Sequence, residues 1–296
     1  MTNEYSIAVL LPTRGRTDAL SRSVISLFNR CTIKDKVQLI LAFDNDDEIG
    51  MNHFTEHVQP WLDERNIGYT AMCFDSMGYE GLNKYYNAMA DEASADWLFV
   101  WNDDAIMETA GWDKIINSHT GKFQLLKVHT HGEHPYSIFP IVPSEWIKTT
   151  GYLSCHQMID AELSQIAYMI DVMEIVDIYV THDRADLTGN NKDDTDKKRV
   201  RLEGNPQNPQ DFHHMRYNQY RILDCDKLTE VMKKHNLNTD WWENVKTGKQ
   251  YPWEKLVKND VNKQMTQFQV KVNSQGRITE IAPDNNANIV RQETNV

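Results

Sequence analysis

The sequence predicts a wound α/β domain with a mostly parallel central sheet, followed by a small α+β extension. Three observations carry this expectation. In the first hundred residues, short apolar runs alternate with stretches whose apolar residues recur at helical spacing, as in a wound sheet. The run Trp97-Leu98-Phe99-Val100-Trp101 shows no polar alternation, which predicts a strand buried on both faces. Polar side chains then collect just after these runs, at the sheet edge where wound α/β proteins bind ligands.

In chain order, Ser6–Leu11 is a buried strand, and Pro12-Thr13-Arg14-Gly15-Arg16 is a turn. Thr17 or Asp18 can cap a helix that shows Leu20, Val24, Leu27 and Phe28 on one face. Val37–Phe43 is a second strand and runs into Asp44. Met51, Phe54, Val58, Trp61 and Leu62 fit a helix kinked or restarted at Pro60. Tyr69–Phe74 is a third strand, and Leu82, Tyr85, Tyr86 and Met89 line a third helix. A fourth strand over residues 96–101 ends in Asn102-Asp103-Asp104. From about residue 105 the rhythm changes. Phe123–Val128 and Ser137–Val142 are short strands, Asp160–Ile170 is a helix, and Glu174–Val180 is a last core strand ending at His182.

The polar stretch over 186–211 reads as a mobile loop, Lys227–Lys234 as a helix, and the segments around Asn273–Gly276 as a terminal hairpin. The expected organisation is a large domain over 1–185 with halves 1–104 and 105–185. A lid follows over 186–220, and a helical and hairpin extension over 221–296. The lid reading rests on Lys197, Lys198 and Arg199, which could close over a diphosphate.

Composition narrows the function classes. A chain of 296 residues with 40% hydrophobic content and eight Trp can build a large core. No apolar run reaches the roughly 18 residues of a membrane span, and no signal-peptide pattern opens the sequence, so a cytoplasmic protein is expected (host cytoplasm if viral). Four scattered cysteines without a Cys-x-x-Cys pattern read as reduced thiols. The net charge of −12 speaks against nucleic acid as the default partner.

Two adjacent carboxylates at a strand end, Asp103 and Asp104, repel each other and call for a hard cation shared with a phosphate. His182 follows another strand and could share that cation. Arg14 and Arg16 can neutralise phosphate oxygens. Asp44 can accept from a ribose hydroxyl or the imide N–H of a uracil. Each residue also has a plainer reading: Asp44 as a turn cap, Asp160 as a helix cap, Lys84 as a solvated helix residue, His182 as a surface histidine. His129, His131 and His134 could approach one another and invite zinc, but histidines beside an acceptor cleft are the simpler reading. Trp241, Trp242 and Trp253 could form a stacking platform, though core packing explains them as well.

The order of these motifs resembles the GT-A-fold nucleotide-sugar glycosyltransferases, and is similar to family 2. Five stretches carry the resemblance over residues 5–185: Val9–Arg16, Leu41–Asp46, Lys84–Asn87 with Ala88, Val100–Asp104 with Gly111–Asp113, and Thr150–Tyr152 with Ile159–Leu163. The resemblance implies a GT-A-like fold and a metal-dependent, inverting transfer of sugar from a nucleoside diphosphate sugar, with UDP-sugar as the default, to an acceptor hydroxyl. It implies that 1–185 is a catalytic domain, with 1–104 its donor half and 105–185 its acceptor half. It implies Mn²⁺ or Mg²⁺ held by Asp104 and His182, with Asp103 on the metal or ribose. It implies donor contacts from Pro12, Thr13, Arg14, Arg16, Asp44, Lys84 and Asn87. Asp160 would be the general base, with Glu162 as its rival.

There are departures. Asn102 stands in the first position of D-x-D, and Ile159 where an acid is common. The Gln-x-x-Arg-Trp motif of processive synthases is missing, which speaks against a polymerising enzyme. The alternatives are a phage-type DNA-base glycosyltransferase, a nucleotidyltransferase, and a non-catalytic nucleotide-sugar or glycan-binding module. The acceptor (glycan, lipid, protein or modified DNA base) and the oligomeric state stay open.

Overall fold

The computed structural model describes residues 4–130, 134–183, 208, 210–250, 268–272 and 278–283. The chain divides into two compact units. One comprises Met1–Ser164 with Met173–Arg201, the other Gln165–Val172 with Leu202–Val296.

The first unit is built on one eight-stranded sheet. Its strands are β1 Tyr5–Pro12, β2 Val37–Asp44, β3 Gly68–Phe74, β4 Ala95–Val100, β5 Ala105–Met107, β6 Leu125–Thr130, β7 Ile141–Pro143 and β8 Met173–His182. They lie in the order β3-β2-β1-β4-β7-β6-β8-β5. The half of the sheet from residues 1–104 is wholly parallel: β1 pairs with β2 and β4, and β2 with β3. The second half is mixed, because β7 runs antiparallel to β4 and β6, and β5 antiparallel to β8, while β6 and β8 are parallel.

Every residue of β2 is buried, as an unalternating apolar run requires when helices cover both faces. Among the helices, α1 (Thr17–Arg30) buries Leu20, Val24, Leu27 and Phe28, the stripe read from the sequence. α2 (Glu48–His53) passes through a wider π turn over Phe54–Val58 into α3 (Gln59–Asp63), which restarts with Pro60 in its first turn. α4 (Leu82–Glu92) buries Tyr85, Tyr86 and Met89. The short helices α5 (Trp112–Asn117) and α6 (Ser144–Thr150) follow, and then α7 (Ile159–Met169).

Two expectations need correction. The strand expected over 137–142 shrinks to Ile141–Pro143. Pro140 accepts from the Val100 N–H at 3.0 Å but has no N–H of its own, so the ladder begins after it. Neither Thr17 nor Asp18 caps α1. Arg16 holds the cap position and gives no side-chain cap, because a guanidinium has no acceptor to offer the helix N–H groups; it donates to the acids described below.

In the second unit, α8 (Met215–Lys234) is longer than expected and begins before the anticipated boundary at 221. α9 (Asp240–Lys246) follows, with Trp242 fully buried and its indole N–H donating to Asp226 at 2.8 Å. Strands β9 (Phe268–Val272) and β10 (Ile278–Pro283) pair antiparallel, as the hairpin reading expects. The lid residues Lys197, Lys198 and Arg199, together with His131 and Trp253, lie outside the described residues. No helix among the described residues is long and apolar enough to cross a membrane.

Candidate active site

Parallel pairing carries the ends of β1, β2 and β4 to one edge of the sheet, and the chemistry collects there. Gly15 has a φ of +65°, a left-handed conformation that glycine adopts without steric cost, and its N–H donates to Asp47 Oδ2 at 2.8 Å. This turn sends its two flanking arginines to different acids.

Arg14 goes to the β2 end. Its Nη1 donates to Asp44 Oδ2 at 2.5 Å, and it binds both oxygens of Asp46, Nη2 to Oδ2 at 3.0 Å. Asp44 is buried and also accepts from Ser76 Oγ at 3.2 Å and from the Tyr85 hydroxyl. Arg16 goes to the β4 end. Its Nη1 donates to Asp103 Oδ1 at 3.0 Å and to Asp104 Oδ2 at 3.2 Å. Thr13 Oγ1 donates to the other oxygen of Asp103 at 2.8 Å. Both arginines neutralise carboxylates.

His182 reaches the acidic pair through strand pairing. Ala105 lies opposite His182 in the β5–β8 ladder, and the Asp183 N–H donates to the Asp104 carbonyl at 2.8 Å. The His182 Nε2 therefore lies 3.3 Å from Asp104 Oδ1. That oxygen is buried and has no hydrogen bond among the described residues: the pair is close but not aligned for one. Burial pushes Asp103 up to about 6, with the Asp104 charge adding to the rise against Arg16 and Thr13. Burial acts the same way on Asp104, but His182 and then Arg16 outweigh it and hold that acid below its ordinary value.

A metal fits this corner through Asp104 and His182: an orphaned buried carboxylate oxygen faces an imidazole nitrogen, an oxygen and nitrogen donor set suited to Mn²⁺. Asp103, expected as a further ligand, is turned to Thr13 and Arg16 instead. Among the described residues no three His, Cys, Asp or Glu side chains form a ready-made metal cage. The zinc reading gains nothing here: His129 stacks on Tyr179 at 4.7 Å, and His134 accepts from the Tyr136 N–H.

Asp160 sits in the first turn of α7, partly exposed. Burial first, and then the charges of Asp103, Asp104 and Asp160, push the Tyr86 phenol well above its usual value. The Tyr86 hydroxyl lies 2.7 Å from both the Trp101 carbonyl and Asn102 Oδ1.

Glu162 has a different environment. It is 1% exposed and accepts from the Ser154 hydroxyl, from the N–H groups of Cys155 and His156 at 3.0 Å each, and from Cys155 Sγ at 2.7 Å. These bonds make it a pin for the loop before α7. Asn87 pins the same loop from α4. Its Oδ1 accepts from the Leu153 N–H at 2.9 Å and the Ser154 N–H at 3.0 Å, and its Nδ2 donates to the Ser154 carbonyl at 2.9 Å. Lys84, one helical turn earlier, is exposed. Pro12 is the last residue of β1, in register with Ala42.

Comparison with known proteins adds the fold. A mannosyltransferase from Pyrobaculum calidifontis, solved with GDP-Man and Mn²⁺, superposes with a TM-score of 0.52 at 9% identity, over 76% of this chain and 65% of its own. The fold is GT-A-like, similar to that of this mannosyltransferase. A structure of S. aureus TarS 1-349 with UDP superposes at a TM-score of 0.45 and 14% identity, over 60% of each chain. The chain therefore spans less than two thirds of the length of either protein. No protein-family model matches the sequence, and no curated protein matches it.

In this GT-A-like frame, three neighbours of the candidate site escaped the sequence reading. The sequence assigns Tyr85 and Tyr86 no role of their own beyond the stripe of α4 and the Lys84–Asn87 stretch, and does not single out Ser76. The available signal was two hydroxyl-bearing aromatics in the first turns of a helix that starts from the ligand-binding edge.

Proposed function

We propose that this chain is a metal-dependent, inverting glycosyltransferase that moves a sugar from a nucleoside diphosphate sugar, by default a UDP-sugar, to an acceptor hydroxyl. One observation carries the reading: His182 Nε2 faces the orphaned buried oxygen of Asp104, beside Asp103 and Arg16 at the edge where β1, β2 and β4 end. GDP-mannose belongs to the Pyrobaculum protein by its own description. Identity of 9% supports a shared fold and leaves the nucleobase to local chemistry.

In this reading Asp104 and His182 hold Mn²⁺ or Mg²⁺, which supplies Lewis-acid neutralisation of the leaving diphosphate. Asp44 receives the nucleobase. Arg16, which bridges Asp103 and Asp104, can turn its guanidinium to phosphate oxygens as the acids find other partners. Asp160 takes the proton of the acceptor hydroxyl as that oxygen bonds to the anomeric carbon and the bond from that carbon to the diphosphate breaks. The transition state is oxocarbenium-like, and a single displacement inverts the anomeric centre.

The test is the thermal midpoint against UDP, dTDP, GDP and CDP, each with Mn²⁺, Mg²⁺ or EDTA. A nucleotide at about 100 times its Kd adds roughly 2.7 kcal/mol, a rise of about 5–10 °C at this size. A rise that vanishes in EDTA supports the reading. No rise with any nucleotide and metal would remove it.

A further inference from the structure

Asp44 is a buried carboxylate with a closed set of partners. A carboxylate has about four acceptor positions, two on each oxygen. Oδ2 takes Arg14 Nη1 at 2.5 Å and Ser76 Oγ at 3.2 Å, and Oδ1 takes the Tyr85 hydroxyl. Three donors on about four positions leave one, on Oδ1.

Tyr85 is not free to swing away. Its oxygen accepts from the Met77 N–H at 2.8 Å, and its ring meets Phe74 edge-on with centroids 5.5 Å apart. Burial, and then the bond to Asp44, push the phenol up to about 12, so it remains an O–H donor at neutral pH.

Nucleobases differ in what they ask of such an acid. Guanine presents two adjacent donors, N1–H and N2–H, and engages a carboxylate through both oxygens. The imide edge of uracil or thymine presents one donor, N3–H, between two carbonyls. A carboxylate with one open acceptor position satisfies the imide. It leaves a guanine N–H without an acceptor, and an unmade buried hydrogen bond is costly. Arg14, half-exposed beside Asp44, keeps N–H groups that can turn to a flanking carbonyl.

We propose that Ser76 is a positioning residue that, with Arg14, fills Asp44 Oδ2, so that the one acceptor position left lies on Oδ1 beside Tyr85 and the site selects an imide base, uracil or thymine, over guanine. This rests on the donor-site reading above and adds the base-selecting device to it. Ser76 touches no ligand in this scheme and acts through Asp44.

The test is calorimetric binding of UDP, dTDP and GDP to the full chain with Mn²⁺, for wild type, Tyr85→Phe and Ser76→Ala. Wild type should bind UDP or dTDP more tightly than GDP by about tenfold or more. Ser76→Ala frees a position on Oδ2 and should narrow the preference by about fivefold, the worth of one hydrogen bond. Tyr85→Phe frees a second position on Oδ1 while Oδ2 stays full, so it should leave the ratio in place. Ser76 is exposed, so its variant reads selectivity without a folding penalty. A Ser76→Ala protein with the wild-type ratio, or a ratio that moves only in Tyr85→Phe, would overturn the inference while leaving the donor site standing. A wild type that prefers GDP overturns it too. No binding of any nucleotide overturns the donor-site reading and the inference together.

Discussion

Asp104 Oδ1 and His182 Nε2 face each other across 3.3 Å, each nearly buried, without forming an aligned hydrogen bond. A buried acceptor left so is costly, and a divalent ion between the two would satisfy both. Loss of groups that merely orient a ligand already weakens metal sites by roughly 10–100-fold. Asp104→Ala and His182→Ala should each weaken Mn²⁺ binding by at least about tenfold and erase the metal-dependent part of nucleotide stabilisation. Titration calorimetry with Mn²⁺ alone checks this before any substrate is known. Wild-type affinity in both variants would remove these residues from the metal site.

Asp160 and Glu162 are two residues apart on α7 and have opposite environments. Asp160 is partly exposed in the first turn of α7, whereas Glu162 is buried and bound by the 154–156 loop. Asp160→Asn should keep nucleotide binding and lower donor turnover by about 10²–10⁴, the usual contribution of a general base. Glu162→Gln should act on stability instead, lowering it by about 1–3 kcal/mol, because the Ser154 hydroxyl and the two N–H groups lose a charged acceptor and an amide NH₂ replaces the oxygen that faces Cys155 Sγ. Urea midpoints and turnover on both variants decide it. A stable Glu162→Gln protein without turnover, beside an active Asp160→Asn, would exchange the two roles.

His213 gives the second unit a pH dependence. Burial first, and Arg221 next, push it down to about 4 against a partial pull upward from Asp211. Above its ordinary value of 6.5 the imidazole is neutral in both the folded and the unfolded chain. Between about 6.5 and 4 the unfolded chain takes up a proton that the folded one refuses, so stability falls as pH falls. At about 1.36 kcal/mol per pKa unit, the loss is roughly 2 kcal/mol by pH 5. His213→Asn should flatten the stability-against-pH slope from 7.5 to 5 relative to wild type, whatever its absolute stability. Parallel slopes would show that other groups set the acid response.

The donor half was legible because burial on both faces leaves an unmistakable apolar run. β1, β2 and β4 end within a residue or two of where their apolar letters end, and so Asp44, Asp103 and Asp104 fall at the sheet edge. β5 and α5 were not legible, because a three-residue strand and a six-residue helix carry too few side chains to show a period. Yet β5 brings Asp104 to His182, so the pairing of those two rests on a ladder that only the fold reveals. Side-chain direction was equally hidden. Arg14 and Arg16 read as phosphate ligands, yet both close on carboxylates, because four acids crowd the same edge and need counter-charge. Tyr85 belongs both to the helix stripe and to the site, and periodicity sees only the first.

Asn87 separates a donor-side role from a loop-pinning one. Its amide makes three hydrogen bonds to the backbone of Leu153 and Ser154, and those residues lead through the Glu162-bound loop to Asp160. Asn87→Ala removes these partners at a half-buried position, and each lost bond is worth about 0.5–1.5 kcal/mol. Because the backbone groups can recover water, a net destabilisation of about 1–3 kcal/mol is expected. If the residue serves the loop, nucleotide affinity should stay within about twofold of wild type, while turnover falls as Asp160 loses its fixed position. Misplacing a reacting group by about 1 Å can cost on the order of 10²-fold. If Asn87 instead contacts the donor, affinity should fall with little change in midpoint. Measuring nucleotide affinity, unfolding midpoint and turnover on this one variant tells the two apart.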